Sequence, residues 1–262
     1  MEQVRKYGRS PYRVAVIHGG PGAPGEMAPV ARELSSTHGV LEPLQTRDTL
    51  DGQVEELQSV LKEHGGPPLT LIGYSWGAIL SFIVAAETPS LVRKLVLVSS
   101  AVFEEEYAAG IMETRLSRLL PEERAAMERL LRELDDPAGD DTNRAFAELG
   151  ALLARVDCYD PVPDIRNEVI EHQYRIYDSV WRNAQGMRSR GDLLRLGERI
   201  TCPVVAIHGD YDSHPSEGVR IPLSIALSDF RFLLLERCGH CPWREKHARD
   251  SFYATLMNEL QP

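Results

Sequence analysis

The sequence LTLIGYSWGAIL (residues 69–80) joins two apolar runs through a short, glycine-flanked turn. The first run, 69–72, is short enough for a buried strand and breaks at Gly73. The second run, 78–86, follows Gly77 at once and is apolar on all sides, as expected of a buried helix. The five residues Gly-Tyr-Ser-Trp-Gly therefore stand at a predicted strand-to-helix junction.

Five further segments resemble this first run, because they are short, rich in β-branched residues or leucine, and bounded by turn residues. With residues 69–73 they give six predicted strands, the others being 14–18, 40–44, 95–99, 204–208 and 230–235. Helical patterns lie between most of them, and Phe252, Leu256 and Leu260 mark a closing helix. Strands that alternate with helices predict a mostly parallel sheet with helices on both faces.

One long region breaks the alternation. No convincing strand pattern lies between Ser99 and Thr201, whereas apolar residues recur there at helical spacing. Residues 145–156 and 168–181 are predicted to be helical, as is the stretch containing Met127, Leu130, Leu131 and Leu134. We therefore expect an α/β core formed by residues 1–102 and 196–262, with residues 103–195 inserted as a helical lid.

The composition limits the possible partners and location. The formal net charge of −10 disfavours nucleic acid as a partner, and no run of about 18 apolar residues predicts a membrane span. The N-terminal residues lack an apolar signal core, and the four cysteines suggest a reducing compartment, so a cytoplasmic location is expected. The Cys238-x-x-Cys241 pair lacks the second pair that a structural zinc site needs, and buried thiols are the simpler reading. We expect no metal and no cofactor.

Ser75 is the predicted nucleophile. A serine in a G-x-S-x-G turn between a strand and a helix is lifted above the edge of the sheet, while the glycines relieve clashes with neighbouring backbone. The N-terminus of the following helix favours negative charge at this place. The alternative is a serine in an ordinary glycine-rich turn.

A reactive serine needs a base and an acid that orients the base. Asp212 lies four residues past a predicted strand, and His240 lies in the loop after the last strand. Both therefore stand at carboxyl ends of parallel strands, at the sheet edge predicted for Ser75. Asp210 competes with Asp212 for the role of the acid, although it could instead cap the turn that follows Gly209.

The sequence HGGPG (residues 18–22) follows the first core strand. Acyl transfer develops an oxyanion, and backbone N–H groups must point at it. Since Pro21 has no N–H group, the predicted donors are the N–H groups of Gly20 and of Trp76, directly after the serine.

The HGGPG motif, together with a tryptophan after the serine, resembles the proline iminopeptidase branch of the α/β-hydrolase superfamily, and the similarity to the superfamily covers most of the chain. The resemblance implies the α/β-hydrolase fold with a helical lid, and removal of an N-terminal residue, usually proline, from peptides without a metal. Carried over to this sequence, Ser75 is the nucleophile, His240 the base and Asp212 the orienting acid. Gly20 and Trp76 are then the oxyanion hole.

Substrate recognition is expected to fall to the lid, because an aminopeptidase must hold a free α-ammonium group with carboxylates. The sequence VIEHQY (169–174) is similar to a lid stretch whose glutamate binds the substrate amine in that branch, which makes Glu171 a candidate. Tyr174 and Trp181 are either core residues or a wall of the substrate site. The substrate would be a short peptide or, for an esterase-type hydrolase, a small acyl compound. A non-catalytic small-molecule binding protein on the same fold is the remaining class, and turnover of an activated ester would exclude it.

Overall fold

The computed structural model describes residues 3–136, 141–163, 169 and 171–261. Its strands are β1 (Val4–Tyr7), β2 (Tyr12–Ile17), β3 (Gly39–Pro43), β4 (Leu69–Tyr74), β5 (Val92–Val98), β6 (Val204–Gly209) and β7 (Phe230–Leu235). They form a seven-stranded sheet in the order β1-β3-β2-β4-β5-β6-β7, which is parallel except at β1. The fold is that of an α/β hydrolase, as predicted.

All six predicted strands are present, with slightly different ends, and β1 was missed. It is a four-residue edge strand with the sequence VRKY, in which only Val4 is buried. No apolar run marks it, because its strand conformation depends on antiparallel pairing with β3, where Val4 faces Pro43 and Tyr7 faces Val40. Edge strands of this kind are often short and charged.

The helices are α1 (Ala28–Leu34), α2 (Leu50–His64), α3 (Trp76–Glu87), α4 (Glu105–Arg118), α5 (Pro121–Asp135), α6 (Thr142–Val156), α7 (Tyr174–Ser189), α8 (Asp192–Arg195), α9 (Glu217–Ala226) and α10 (Arg249–Glu259). Short 3₁₀ turns occupy Pro89–Leu91, Leu196–Arg199 and Pro242–Arg244. None of the helices in the described ranges combines the length and apolarity that a membrane crossing requires.

The sheet has a buried core on each face. Side chains alternate along a strand, so Val14 and Val16 of β2 pack with α1 and α10, while Ala15 and Ile17 pack with α2 and α3. Helix α3 is buried from Trp76 to Ala86, in agreement with its apolar sequence. This central helix begins at the serine turn and fixes that turn against both β2 and β4.

Between β5 and β6 the described chain consists of helices joined by loops, with no strand pairing apart from an isolated bridge between Pro161 and Glu245. Helices α5 and α6 share a small core of their own, which includes Met127, Leu130 and Leu134. Leu131, predicted to lie with them, is 37% exposed. The helix predicted over 168–181 begins only at Tyr174, as α7, and Glu168 lies outside the described residues.

Helix α7 begins late because the residue before it is held by the core. Gln173 is extended, with φ −127° and ψ 85°, and its N–H donates to the carbonyl of Gly22 at 2.8 Å. A helical conformation at Gln173 would break this contact. The local sequence pattern cannot predict this hydrogen bond, because Gly22 is about 150 residues away in the chain.

Candidate active site

Ser75 occupies the turn between β4 and α3, with φ +51° and ψ −113°. Such a backbone conformation is strained for a residue with a side chain, and it persists because the surrounding structure fixes it. A Cβ at Gly73 would overlap the carbonyl of Gly77, and a Cβ at Gly77 would overlap the carbonyls of Ile17 and His18. The two glycines are therefore required by the close approach of three backbone segments.

Ser75, His240 and Asp212 form a hydrogen-bonded chain. His240 lies in the loop after β7, and its Nε2 is 3.1 Å from the hydroxyl of Ser75. Its Nδ1 is 2.7 Å from Oδ2 of Asp212, which follows β6. Asp210 lies elsewhere, since its Oδ1 accepts from the N–H of Cys238 at 3.1 Å. The structure thus brings Asp212, and not the competing Asp210, to the histidine.

Two further histidines, His208 and His214, lie beside Asp212, and neither was predicted to belong to the site. Oδ1 of Asp212 accepts from the backbone N–H of His214 at 2.9 Å and lies 3.0 Å from Nδ1 of its ring. Nε2 of His208 is 2.9 Å from the carbonyl of His214 and 3.5 Å from Oδ2 of Asp212. The available signal was the sequence HGDYDSHP, in which both histidines stand within four residues of Asp212.

These contacts set the charges of the group. Burial alone would raise the pKa of Asp212, but His240, His214 and His208 outweigh it, and the pKa lies well below its ordinary value. Burial alone would lower the pKa of His240, but the charge and hydrogen bond of Asp212 raise it overall. Burial lowers the pKa of His214 to about 4. At neutral pH, Asp212 is therefore a carboxylate and His214 is uncharged.

The two residues whose N–H groups are predicted to form the oxyanion hole, Gly20 and Trp76, both lie at the cavity. Trp76 is the first residue of α3, where an N–H group has no partner within the helix. The carbonyl of Gly19 is 2.6 Å from Nδ1 of His18. In a trans peptide the N–H group points opposite to the carbonyl, so the N–H of Gly20 points away from His18. Gly20 and Trp76 both line the cavity above Ser75.

Glu26 is a partly buried acid beside the HGGPG loop (residues 18–22), and the sequence did not predict it as a site residue. Burial raises its pKa to about 7, against the opposing effects of His240, Arg244 and a hydrogen bond from Gly19. A Cβ at Gly19 would lie 2.8 Å from Oε2 of Glu26 and 2.7 Å from the ring of Tyr74, so only glycine fits there. Glu26 and Arg244 both line the cavity.

The cavity above Ser75 has a volume of about 330 Å³ and mostly apolar walls. Helices α5, α6 and α7 supply these walls, with the lining residues Leu131, Leu134, Phe146, Leu149, Leu153, Tyr174, Tyr177 and Trp181. Two of the predicted substrate residues, Tyr174 and Trp181, are therefore at the cavity. Glu171 is exposed and is not among the described residues that line it, so the structure does not bring this acid to the site.

One group in the described ranges, Asp212 with His214 and His240, has ligand-type atoms within 4.8 Å of one another. The hydrogen bonds within the group account for that proximity without an ion. Cys238 and Cys241 are buried, and Sγ of Cys241 is 2.9 Å from the hydroxyl of Tyr74. Both cysteines thus have the character of buried thiols.

Residues 14–253 match the model of the alpha/beta hydrolase family, which spans most of the chain. The chain belongs to the alpha/beta hydrolase family, and it is an enzyme of the hydrolase class. No curated protein sequence matches it significantly.

Several solved structures share the fold. VinJ is 20% identical, with a TM-score of 0.66, and the match covers 98% of this chain and 93% of that one. The monoacylglycerol lipase of Paleococcus ferrophilus is 18% identical, with a TM-score of 0.63, and 98% and 97% of the two chains are covered. Est816, an N-acyl homoserine lactone degrading enzyme, is 14% identical, with a TM-score of 0.63 and coverages of 98% and 96%. At these identities the similarity concerns the fold alone.

Proposed function

We propose that this hydrolase cleaves ester or amide bonds through a covalent acyl intermediate on Ser75. The observation that carries the proposal is the chain of contacts from Ser75 Oγ through His240 to Asp212, at 3.1 and 2.7 Å, on the floor of a cavity. A serine hydroxyl is a weak nucleophile until an adjacent base takes its proton, and the base works only in the correct orientation.

In this mechanism the hydroxyl oxygen of Ser75 attacks the substrate carbonyl while its proton moves to Nε2 of His240. The imidazolium that forms is stabilised by the carboxylate of Asp212, which remains ionised. The developing oxyanion accepts hydrogen bonds from the N–H groups of Gly20 and Trp76, at the N-terminus of α3. His240 then gives its proton to the leaving group, and an acyl ester on Ser75 remains.

The helical segment 103–195 would act as the lid of this site. Its helices α5, α6 and α7 supply most of the apolar wall, and it is hydrogen-bonded to the core on two sides of Ser75. On one side Gln173 donates to Gly22 at 2.8 Å, and on the other His240 donates its backbone N–H to the carbonyl of Asp157 at 2.8 Å. A wall of this kind excludes water from the reacting bond and favours an apolar acyl group.

Two substrate classes are supported by different features. An esterase-type hydrolase of acyl compounds is supported by the apolar wall of the cavity. The Asp157 carboxylate also lines the cavity, but it is already paired with Arg115 at 2.6 Å and so is not free to bind a substrate ammonium group. An aminopeptidase is supported by the HGGPG and Ser75-Trp76 motifs. It would need an acid for the substrate ammonium group, and with Glu171 exposed the candidate among the acids that line the cavity is Glu26. We favour the esterase-type reaction, because Arg244 beside Glu26 would repel an ammonium group.

The first test is covalent labelling. A fluorophosphonate probe should label the intact protein once, and Ser75→Ala should abolish labelling and lower kcat on p-nitrophenyl butyrate by on the order of a million-fold. Circular dichroism should confirm that the variant is folded. If the variant were labelled like the intact protein, Ser75 would not be the nucleophile.

The second test separates the substrate classes. Short-chain p-nitrophenyl esters should be cleaved, and aminoacyl arylamides of proline, alanine and leucine should be cleaved slowly or not at all. An aminopeptidase would instead prefer the proline arylamide, would ignore its N-acetylated form, and would show a higher KM for free amino termini after Glu26→Gln. That pattern would reverse our preference.

A further inference from the structure

Asp212 supports two imidazole rings, one on each carboxylate oxygen. His240 binds Oδ2 at 2.7 Å, and His214 lies 3.0 Å from Oδ1. The two rings are stacked, with centroids 4.6 Å apart and planes inclined by 24°. Stacking places a second imidazole directly beside the proposed base, at the same depth in the site.

The carboxylate determines which nitrogen of His214 carries the proton. Because Oδ1 of Asp212 can only accept, Nδ1 of His214 must be the donor. The ring is uncharged at neutral pH, since burial lowers its pKa to about 4 and the neighbouring His240 and Arg115 act in the same direction. Nε2 of His214 therefore has a free lone pair and is a hydrogen-bond acceptor.

This acceptor faces away from Asp212. The two nitrogens of an imidazole lie on different sides of the ring, so binding Nδ1 to Asp212 turns Nε2 away from that carboxylate. His214 and His240 both line the cavity, and 10% and 11% of their side-chain surfaces are exposed. Nε2 of His240 faces Ser75. The ring of His214 therefore lies beside the place where a molecule must approach in order to attack the acyl ester.

We propose that His214 is a catalytic residue of deacylation, which holds the second hydrogen of the attacking water while His240 takes the first. The inference rests on the proposed acyl-enzyme on Ser75. Because the ring centroids are 4.6 Å apart, the two rings are close enough for one water molecule to lie between their outer nitrogens.

Deacylation consumes one water molecule and regenerates the Ser75 hydroxyl. The water oxygen bonds to the acyl carbon, one proton passes to Nε2 of His240, and the other stays on the oxygen in a hydrogen bond to His214. When the tetrahedral intermediate collapses, the bond from the acyl carbon to Ser75 Oγ breaks and His240 returns its proton to that oxygen. The product is a carboxylic acid, which loses its proton to solvent. His214 orients the water and is not itself protonated.

The remaining contacts of His214 keep its ring in this position. Its backbone N–H donates to Asp212 at 2.9 Å, and His208 binds its carbonyl at 2.9 Å from the buried end of β6. His208 is not among the described residues that line the cavity. It supports the turn from behind, whereas the ring of His214 is the part that a substrate or water can reach.

Methanol provides the test, because it attacks an acyl-enzyme as water does but has only one hydroxyl hydrogen to donate. The wild-type protein is given p-nitrophenyl butyrate at a fixed fraction of methanol, and butyrate and methyl butyrate are quantified. The ratio of the two products does not depend on how much of a variant is folded. Removing an acceptor that only water needs should shift the ratio toward methyl butyrate.

Three substitutions separate the two nitrogens of His214. His214→Asn keeps an amide donor near the Nδ1 position but has nothing at the Nε2 position. His214→Gln carries an amide oxygen to about the Nε2 position, and His214→Met fills the same space without a strong acceptor. We expect the ratio of methyl butyrate to butyrate to rise about three- to tenfold in the Asn and Met variants, the range for loss of one neutral hydrogen bond. The Gln variant should stay near the wild-type ratio.

An unchanged ratio in both the Asn and Met variants would overturn the role of His214, as would an equal rise in the Gln and Met variants. A structural role exercised only through Asp212 would slow water and methanol alike and leave the ratio constant. Failure of the proposed function is recognised separately. In that case the wild-type protein would show neither fluorophosphonate labelling at Ser75 nor a burst of p-nitrophenol.

Discussion

At the scale of single residues, Asp212 is the centre of the site. Its carboxylate contacts three histidines, and each contact favours its ionised form. Asp210, only two residues away, contacts the N–H of Cys238 instead. Its role is to hold the turn that carries His240, so the two aspartates should respond differently to the same substitution.

Asp212→Asn should lower kcat by about a thousand- to ten-thousand-fold, because an amide cannot stabilise the imidazolium and favours the wrong tautomer of His240. Asp210→Asn keeps an oxygen that can accept from Cys238 and should change kcat by less than about threefold. Initial rates with p-nitrophenyl butyrate measure both effects. A larger loss in the Asp210 variant would assign the orienting role to that residue.

The pH dependence should report His240. Attack requires the neutral imidazole, so kcat/KM should reach its maximum above the pKa of His240 and should fall as the pH decreases through that pKa. Because Asp212 raises that pKa, the midpoint should lie above the ordinary value of about 6.5. The measurement is kcat/KM from pH 5 to 9.

Glu26 is the control for this profile, because its pKa of about 7 falls in the same range. The acid limb should persist in Glu26→Gln, since removing this carboxyl leaves His240 and Asp212 in contact. A limb that disappeared in the variant would belong to Glu26.

At the scale of elements, the turn between β4 and α3 depends on close backbone contact. Gly77, the second residue of α3, lies against the carbonyls of Ile17 and His18 at the end of β2. Since neither carbonyl belongs to a movable side chain, the contact cannot relax cheaply. Gly110, within α4, provides a comparison, because no atom lies within 4 Å of the position of its Cβ.

Gly77→Ala should lower the free energy of unfolding by about 2–4 kcal/mol, since backbone must move to admit the methyl group. Gly110→Ala should raise it by about 0.5–1 kcal/mol, because alanine restricts the unfolded chain and suits a helix. Urea denaturation of both variants gives the comparison. Similar effects at the two positions would mean that the turn tolerates a Cβ.

At the scale of the whole molecule, the site is built where the helical segment meets the sheet. Besides the contacts of Gln173 and Asp157, the buried carboxylate of Glu245 accepts from Tyr159 in the helical segment at 2.8 Å and from Gly239 beside His240 at 2.9 Å. The loop that carries the proposed base is thus held by both parts of the chain. We expect the cavity dimensions to depend on residues far from Ser75 in sequence.

Gly150 of α6 tests that expectation, because it lines the cavity and nothing lies within 4 Å of the position of its Cβ. Gly150→Leu should shorten the cavity and lower the rate on p-nitrophenyl decanoate relative to p-nitrophenyl acetate by about tenfold. Stability should not fall, since leucine favours a helix more than glycine does. Gly110→Leu is the matched control. An equal change in that variant would show that the selectivity for chain length does not depend on the cavity.

Local patterns were sufficient for most of the fold. Apolar runs of strand length predicted six of the seven strands, and the continuous apolarity of α3 predicted its burial. An element that is buried on all sides has apolar residues at consecutive positions, which the sequence shows directly. The G-x-S-x-G turn and the placement of Asp212 and His240 after strands followed from the same reasoning. Parallel strands bring their carboxyl ends to one edge of the sheet, wherever they lie in the chain.

Tertiary packing decided the remainder. The short strand β1 exists through its pairing with β3, and α7 begins at Tyr174 because Gln173 is held by Gly22. The sequence marks many polar residues but does not say which of them meet. The distances that bring His214 and Glu26 to the site, and leave Glu171 exposed, depend on how separate elements pack. A local sequence pattern indicates whether a residue is buried. A site requires particular atoms at hydrogen-bond distance from one another, and only the folding of the whole chain determines those distances.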